Sequence, residues 1–197
     1  MVEMRPHPDD AHLESIVFRP FEASSSQVQV DGRTVLAVIS GMMIPGVGAA
    51  LLAQEGLRDI QTDAWISQQA WLNVFRNISQ RLGADTLYSV GYRIPYAAEF
   101  PSERMRDVPT ALQSIDIAYH TAHRGGEIGC YEYSELDGGT HQIRCVNPYP
   151  CDFDLGIISS LVERFRGSQQ YSVGHAPGGC RKRGDAHCCY HITRLPK

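Results

Sequence analysis

The residues best suited to chemistry lie late in the chain. Cys130, Cys145, Cys151, Cys180, Cys188 and Cys189 all fall in the last third of 197 residues. The densest stretch is His175-Ala-Pro-Gly-Gly-Cys180-Arg-Lys-Arg-Gly184-Asp-Ala-His-Cys188-Cys189-Tyr-His191. Thiolates and imidazoles together are the donor set of a closed, tetrahedral zinc site. Cys180 and Cys188 bracket a glycine-rich turn, and Cys151 falls at a predicted helix N-terminus, where the helix dipole favours a thiolate. The spacing is not that of a zinc finger. Neighbouring side chains on a strand point to opposite faces. Cys188 therefore shares a face with Tyr190 and Ile192, and Cys189 shares the other with His191, so the two cysteines cannot serve one ion. Cys130 and Cys145 fall on predicted paired strands and read as small buried hydrophobes. Arg181-Lys182-Arg183 reads as a solvated loop tip.

Other side chains carry weaker signals. His120 and His123 sit three apart on a predicted helix and could take a metal, a haem or a hydrogen-bonding ligand; two exposed histidines near a helix C-terminus are the plainer reading. Trp65, Trp71, Phe75, Phe100 and Tyr119 could line an apolar pocket, or be core. Only Lys182 and Lys197 are lysines, which excludes a phosphate-loop or Schiff-base lysine from the first 181 positions. A formal net charge of −4 argues against general nucleic-acid binding. No nucleophile-elbow context supports a hydrolase, and no catalytic set is assigned. The N-terminus has no apolar leader, so a cytoplasmic location is expected. Thr34 to Gln54 carries no charge over a near-spanning length, but Gly41, Pro45, Gly46 and Gly48 interrupt it, so no membrane span is expected. A glycine pattern in the same stretch is similar to the opening of a short-chain dehydrogenase, but the catalytic lysine and the following βα units are missing.

These residues need elements to position them. Residues 1–26 read as a loosely held tail and 27–197 as one domain. Gln27–Val30 and Thr34–Ile39 flank Asp31-Gly32 as a hairpin, followed by a turn and a helix start. Asp63 caps a helix whose apolar face is Trp71, Val74, Phe75, Ile78 and Leu82, ended by Gly83. Thr86–Ile94 is a short helix or turn. Leu112, Ile115, Ala118, Tyr119 and Ala122 stripe the helix that begins at Pro109. Glu127–Ser134 and Thr140–Asn147 form a hairpin around Asp137-Gly138-Gly139. Leu155, Ile158, Leu161, Val162 and Phe165 mark a helix from Cys151 or Asp152 to Gly167. Gln170–Gly174 and His187–Arg194 are the last strands. The class is α+β, with helices packed on an antiparallel sheet. The apolar segment 28–60 suggests a homodimer that buries it.

Cys151-x4-Gly156-x3-Ser160, a strand, then Cys180-x7-Cys188 with Gly184-Asp185 before Cys188, resembles the 4-vinyl-reductase (hydrocarbon-binding) domain family. The likeness extends to the aromatic-effector sensor domains of phenol- and xylene-responsive regulators, and its specific part is 151–192. It implies the ligand-binding fold shared by nitric-oxide signalling and Golgi-transport proteins, a homodimer, and a buried pocket for an apolar or aromatic small molecule. It also implies a structural zinc on Cys151, Cys180 and Cys188. The family pattern has a glutamate three residues before Cys180; here that position is Pro177, and His175 is the nearest substitute. On this reading the chain is a non-catalytic sensing domain that signals to a separate partner, with zinc as cofactor and haem as the alternative. His120, His123, Tyr119, Phe100 and Trp71 are its candidate ligand-binding residues. Two other classes stand beside it. One is a thiol-based redox protein or oxidoreductase acting on a tetrapyrrole-like or nucleotide-linked substrate. The other is a dimeric structural adaptor.

Overall fold

The computed structural model describes residues 17–40 and 46–196. Residues 1–16 of the expected tail, and the Gly41–Pro45 part of the expected turn, lie outside the described residues. Phe18 is buried, and the Phe21 N–H donates to Pro148 O at 2.8 Å, so the segment from 17 onward lies against the domain. The architecture is α+β. A small antiparallel sheet has the order β2-β1-β3, made of β1 (Gln29–Asp31), β2 (Trp65–Ser67) and β3 (His123–Arg124). A larger antiparallel sheet has the order β4-β5-β7-β6, made of β4 (Cys130–Leu136), β5 (Thr140–Val146), β6 (Tyr171–His175) and β7 (Cys188–Arg194).

The described helices are α1 (Gly32–Ser40), α2 (Val47–Gln54), α3 (Gln68–Arg81), α4 (Ala84–Ala97), α5 (Val108–Thr121) and α6 (Cys151–Phe165). None is long and apolar enough to cross a membrane. α1 corrects the expected hairpin. The carboxylate of Asp31 accepts the Arg33 N–H at 3.2 Å and the Thr34 hydroxyl at 3.4 Å, which caps a helix rather than turning a strand. Val35 and Val38, three apart, then face the core. α3 begins later than expected: Ser67, at the end of β2, accepts the Ala70 N–H and supplies the cap that Asp63 was expected to give. α5 carries a capping box between Asp107 and Thr110, with proline in its first turn.

The core is formed by Trp71, Leu72, Phe75 and Ile78 of α3, Leu112 and Ile115 of α5, Ile158 and Leu161 of α6, and Ile143, Tyr190 and Ile192 from the inner face of the larger sheet. α4 and α6 cross closely because both carry glycine at the crossing. A Cβ on Gly91 would stand 2.0 Å from Phe153 O, and one on Gly156 would stand 2.2 Å from Tyr88 O. This crossing fixes the depth and direction of α6, the helix that serves both sites described next. The apolar residues of segment 28–60 that suggested a homodimer, including Val28, Val30, Val35, Val38, Leu51 and Leu52, are buried in the chain's own core. They therefore give no argument for a dimer.

Candidate metal centre and apolar chamber

Three pieces of chain bring the cysteine cluster together. Cys151 opens α6, Cys188 opens β7, and Cys180 lies in the loop between β6 and β7, with His175 at the end of β6. The ligand atoms of Cys151, His175, Cys180 and Cys188 all lie within 4.8 Å of one another. The Cys151 sulfur is 3.1 Å from that of Cys188 and 3.7 Å from that of Cys180, and Cys180 Sγ is 3.9 Å from His175 Nε2. Sulfurs bound about 2.3 Å from zinc in a tetrahedron stand about 3.8 Å apart. The donor set suits a tetrahedral metal, the spacings from Cys180 to Cys151 and His175 match it, and Cys151 and Cys188 stand closer than a bound ion would hold them. Cys151 and Cys188 are buried, while His175 faces solvent. Gly184, in the left-handed region at φ 88°, turns the loop back toward Cys188.

The cluster's electrostatics favour one thiolate strongly. Cys151 donates to Cys188, and this hydrogen bond, then burial, raises the Cys151 pKa. The same bond lowers that of Cys188 against the effect of burial, and the Arg181 guanidinium adds to it by charge and hydrogen bonding. Both the backbone N–H and Nε of Arg181 donate to Cys188 Sγ at 3.3 Å. The remaining cysteines lie outside the cluster. Cys189 occupies the opposite face of β7, half-buried, with its pKa raised by burial. Cys130 pairs with Val146 rather than with Cys145, and burial pushes its thiol up to about 12. Cys145 is wholly buried between Tyr131 and Cys188.

A second site lies between α1, α3, α5 and α6. It is a chamber of about 50 Å³, walled mainly by apolar side chains that include Val38, Trp71, Phe100, Ile115, Phe153 and Ile157. Its polar edge is Tyr119, His123, Tyr131 and Tyr149. His123 Nδ1 is 2.8 Å from Tyr119 O, and Nε2 is 2.7 Å from the Tyr149 hydroxyl. A carbonyl can only accept, so Nδ1 carries the proton and Tyr149 donates to Nε2. Burial then lowers the His123 pKa to about 4. Beside this edge Gln68 is wholly buried, its amide next to the hydroxyls of Tyr119 and Tyr149. His120 is a correction. It is exposed on α5, where Asp116 binds its ring and raises its pKa, whereas His123 has left the helix for β3. The two histidines therefore do not share a site. Trp71, Phe100, Tyr119 and His123 stand on the chamber wall.

Sequence reasoning missed Arg181, Asp154, Tyr131 and Asn147. Arg181 is buried, not solvated: its Nη1 donates to Asn147 Oδ1 at 2.6 Å and its Nη2 to Asp154. Asp154 also accepts the Tyr131 hydroxyl at 2.7 Å. One signal was available. Asp154, Ile158 and Leu161 follow the i, i+4, i+7 spacing of one helix face, so a carboxylate stood on the buried stripe.

No protein-family model matches the chain, and no curated protein matches it. Solved structures do. An H-NOX protein from S. oneidensis in its Fe(II) state is similar, with a TM-score of 0.65 and 14% identity over 84% of this chain and 96% of that one. An oxygen-binding H-NOX domain related to soluble guanylate cyclases gives 0.60 and 16% over 83% and 92%. A Tt H-NOX variant gives 0.63 and 17% over 84% and 95%. At these identities the likeness establishes the fold, which is that of an H-NOX domain. It also corrects the family resemblance read from residues 151–192: the matching structures are H-NOX domains, not 4-vinyl-reductase domains.

One similar structure concerns haem redox potential and porphyrin distortion, which raises the question of whether this chain's residues fit a haem. They do not. A chamber of about 50 Å³ is far too small for a porphyrin macrocycle. Among the described residues its one imidazole is His123, which has both nitrogens engaged. Among the described residues no arginine or lysine lines the chamber to meet a propionate.

Proposed function

We propose that the chain is a non-catalytic domain that binds and senses a small apolar or aromatic molecule, with a structural zinc clipping its last loop. The observation that carries this reading is the sharing of α6. Phe153 and Ile157 wall the chamber, while Cys151, on the same helix, belongs to the metal cluster. A molecule that enters the chamber presses on a helix whose start is anchored at the cluster, and that displacement is what a separate partner would read. Zinc needs no redox change and suits a thiolate–imidazole tetrahedron, so its task here is to order a loop that buries little apolar surface of its own. His175 is the fourth ligand by position.

A thiol redox function is the second reading, supported by the 3.1 Å approach of the Cys151 and Cys188 sulfurs. Reversible loss of two thiols under mild oxidant in the zinc-loaded protein would favour it. A structural adaptor has less support, because an adaptor has no use for an apolar chamber. Xenon and benzene, which dry protein cavities take up, test the sensing role. A probe at ten times its Kd stabilises the fold by about 1.4 kcal/mol. A melting temperature unmoved by either probe would refute chamber binding.

A further inference from the structure

A buried chain of side chains joins the two sites. Arg181 follows Cys180 in the cluster loop and donates twice to Cys188 Sγ. Its guanidinium is the counter-ion of Asp154, and both side chains are fully buried. The other oxygen of Asp154 accepts the hydroxyl of Tyr131. The Tyr131 ring is chamber wall, packed edge-on against Tyr119 with centroids 5.2 Å apart. A buried ion pair is weak evidence for stability, because desolvation offsets its attraction. What this pair does supply is a connection between cluster and chamber.

We propose that metal loading and chamber occupancy are thermodynamically linked through Arg181 and Asp154, which act as positioning residues for Cys188 on one side and Tyr131 on the other. The inference rests on the metal and chamber readings above. The physical reason is in the loop. Arg181 reaches Asp154 only while the 176–187 loop is docked, and the cluster is what docks it. If the loop opens, the Asp154 carboxylate is left buried with Tyr131 and without its cation, an arrangement that is strongly unfavourable. Tyr131 and its stretch of the chamber wall then repack. By reciprocity, a molecule that favours the docked position of Tyr131 tightens metal binding by the factor by which metal tightens that molecule.

The test is zinc affinity, by chelator competition, in the wild type, Tyr131→Phe and Tyr133→Phe. Tyr131→Phe removes one hydrogen bond to a buried carboxylate and no ligand atom, and should weaken zinc about tenfold. Tyr133 neighbours Tyr131 on β4 but bonds His141, so Tyr133→Phe should stay within about twofold. Cobalt(II) in the same site gives a second readout. Its thiolate charge-transfer band should shift in Tyr131→Phe, which a general loss of stability would not cause. Zinc affinity within twofold of wild type in Tyr131→Phe overturns the linkage alone, whereas a wild type that binds no zinc overturns the metal reading with it. Should Tyr131→Phe not fold, hydrogen exchange of the wild type with and without zinc decides. Protection lost at β4 around Tyr131, as well as in 175–189, supports the linkage; loss confined to 175–189 overturns it. Benzene should bind the zinc-loaded protein several-fold more tightly than the stripped protein. Equal affinities overturn the linkage, and no benzene binding to either form overturns the chamber reading with it.

Discussion

Acidification should loosen the chamber before it protonates most carboxylates, and His123 is the reason. Its pKa is lowered from 6.5 to about 4 by burial. The unfolded chain therefore takes up a proton between these values that the native chain refuses. His123 contributes stability in full above pH 6.5, and that contribution is lost as pH falls toward 4. At about 1.4 kcal/mol per pH unit the loss between pH 7 and pH 5 is about 2 kcal/mol. For a domain of this size that lowers the melting temperature by about 4–8 °C. Asp154 works in the opposite direction. Burial raises its pKa to about 6 despite Arg181, so the native state gains a proton first and is favoured as pH falls below 6. The informative quantity is therefore the difference between wild type and His123→Gln, measured by thermal melts at pH 7 and pH 5. The variant should be less stable at pH 7 and lose less on acidification. An identical pH slope in both proteins would refute the burial argument.

Two further substitutions series follow from the geometry. Cys180→Ser and Cys188→Ser should each lose the metal and lower the melting temperature together, while Cys189→Ser, on the other face of β7, should do neither; metal analysis beside each melt reads this. Gly91→Ala should cost more than about 2 kcal/mol, because its Cβ meets backbone at the helix crossing. Gly174→Ala, with open space around it, should stay within about 0.5 kcal/mol in denaturant melts.

Much of the fold was legible because periodicity reports burial. The stripe Trp71, Val74, Phe75 and Ile78, the stripe Leu112, Ile115, Ala118 and Tyr119, and the alternation of β7 all lie where the spacing put them. α1 was misread because Thr34 to Ile39 is rich in β-branched residues, and because Asp-Gly signals a hairpin turn as readily as a helix cap. At the site, the four cluster residues were nameable from donor chemistry and from a resemblance that the solved structures then contradicted. The buried charges were not nameable. Arg181 sits in a run of three basic residues that looks solvated, and only tertiary packing singles it out from Lys182, which pairs with Asp152 at the surface. The pairing of His120 with His123 failed because helix spacing was extended past Thr121, where α5 ends.

Native mass spectrometry of the gently purified protein tests the central claim most directly. It weighs the intact chain with whatever it holds. The account predicts one zinc per chain, abolished in Cys188→Ser and retained in Cys189→Ser, and no haem. Less than about 0.2 zinc per chain would make these ordinary buried cysteines. Zinc lost in Cys189→Ser but kept in Cys188→Ser would contradict the register of β7 on which the site is built.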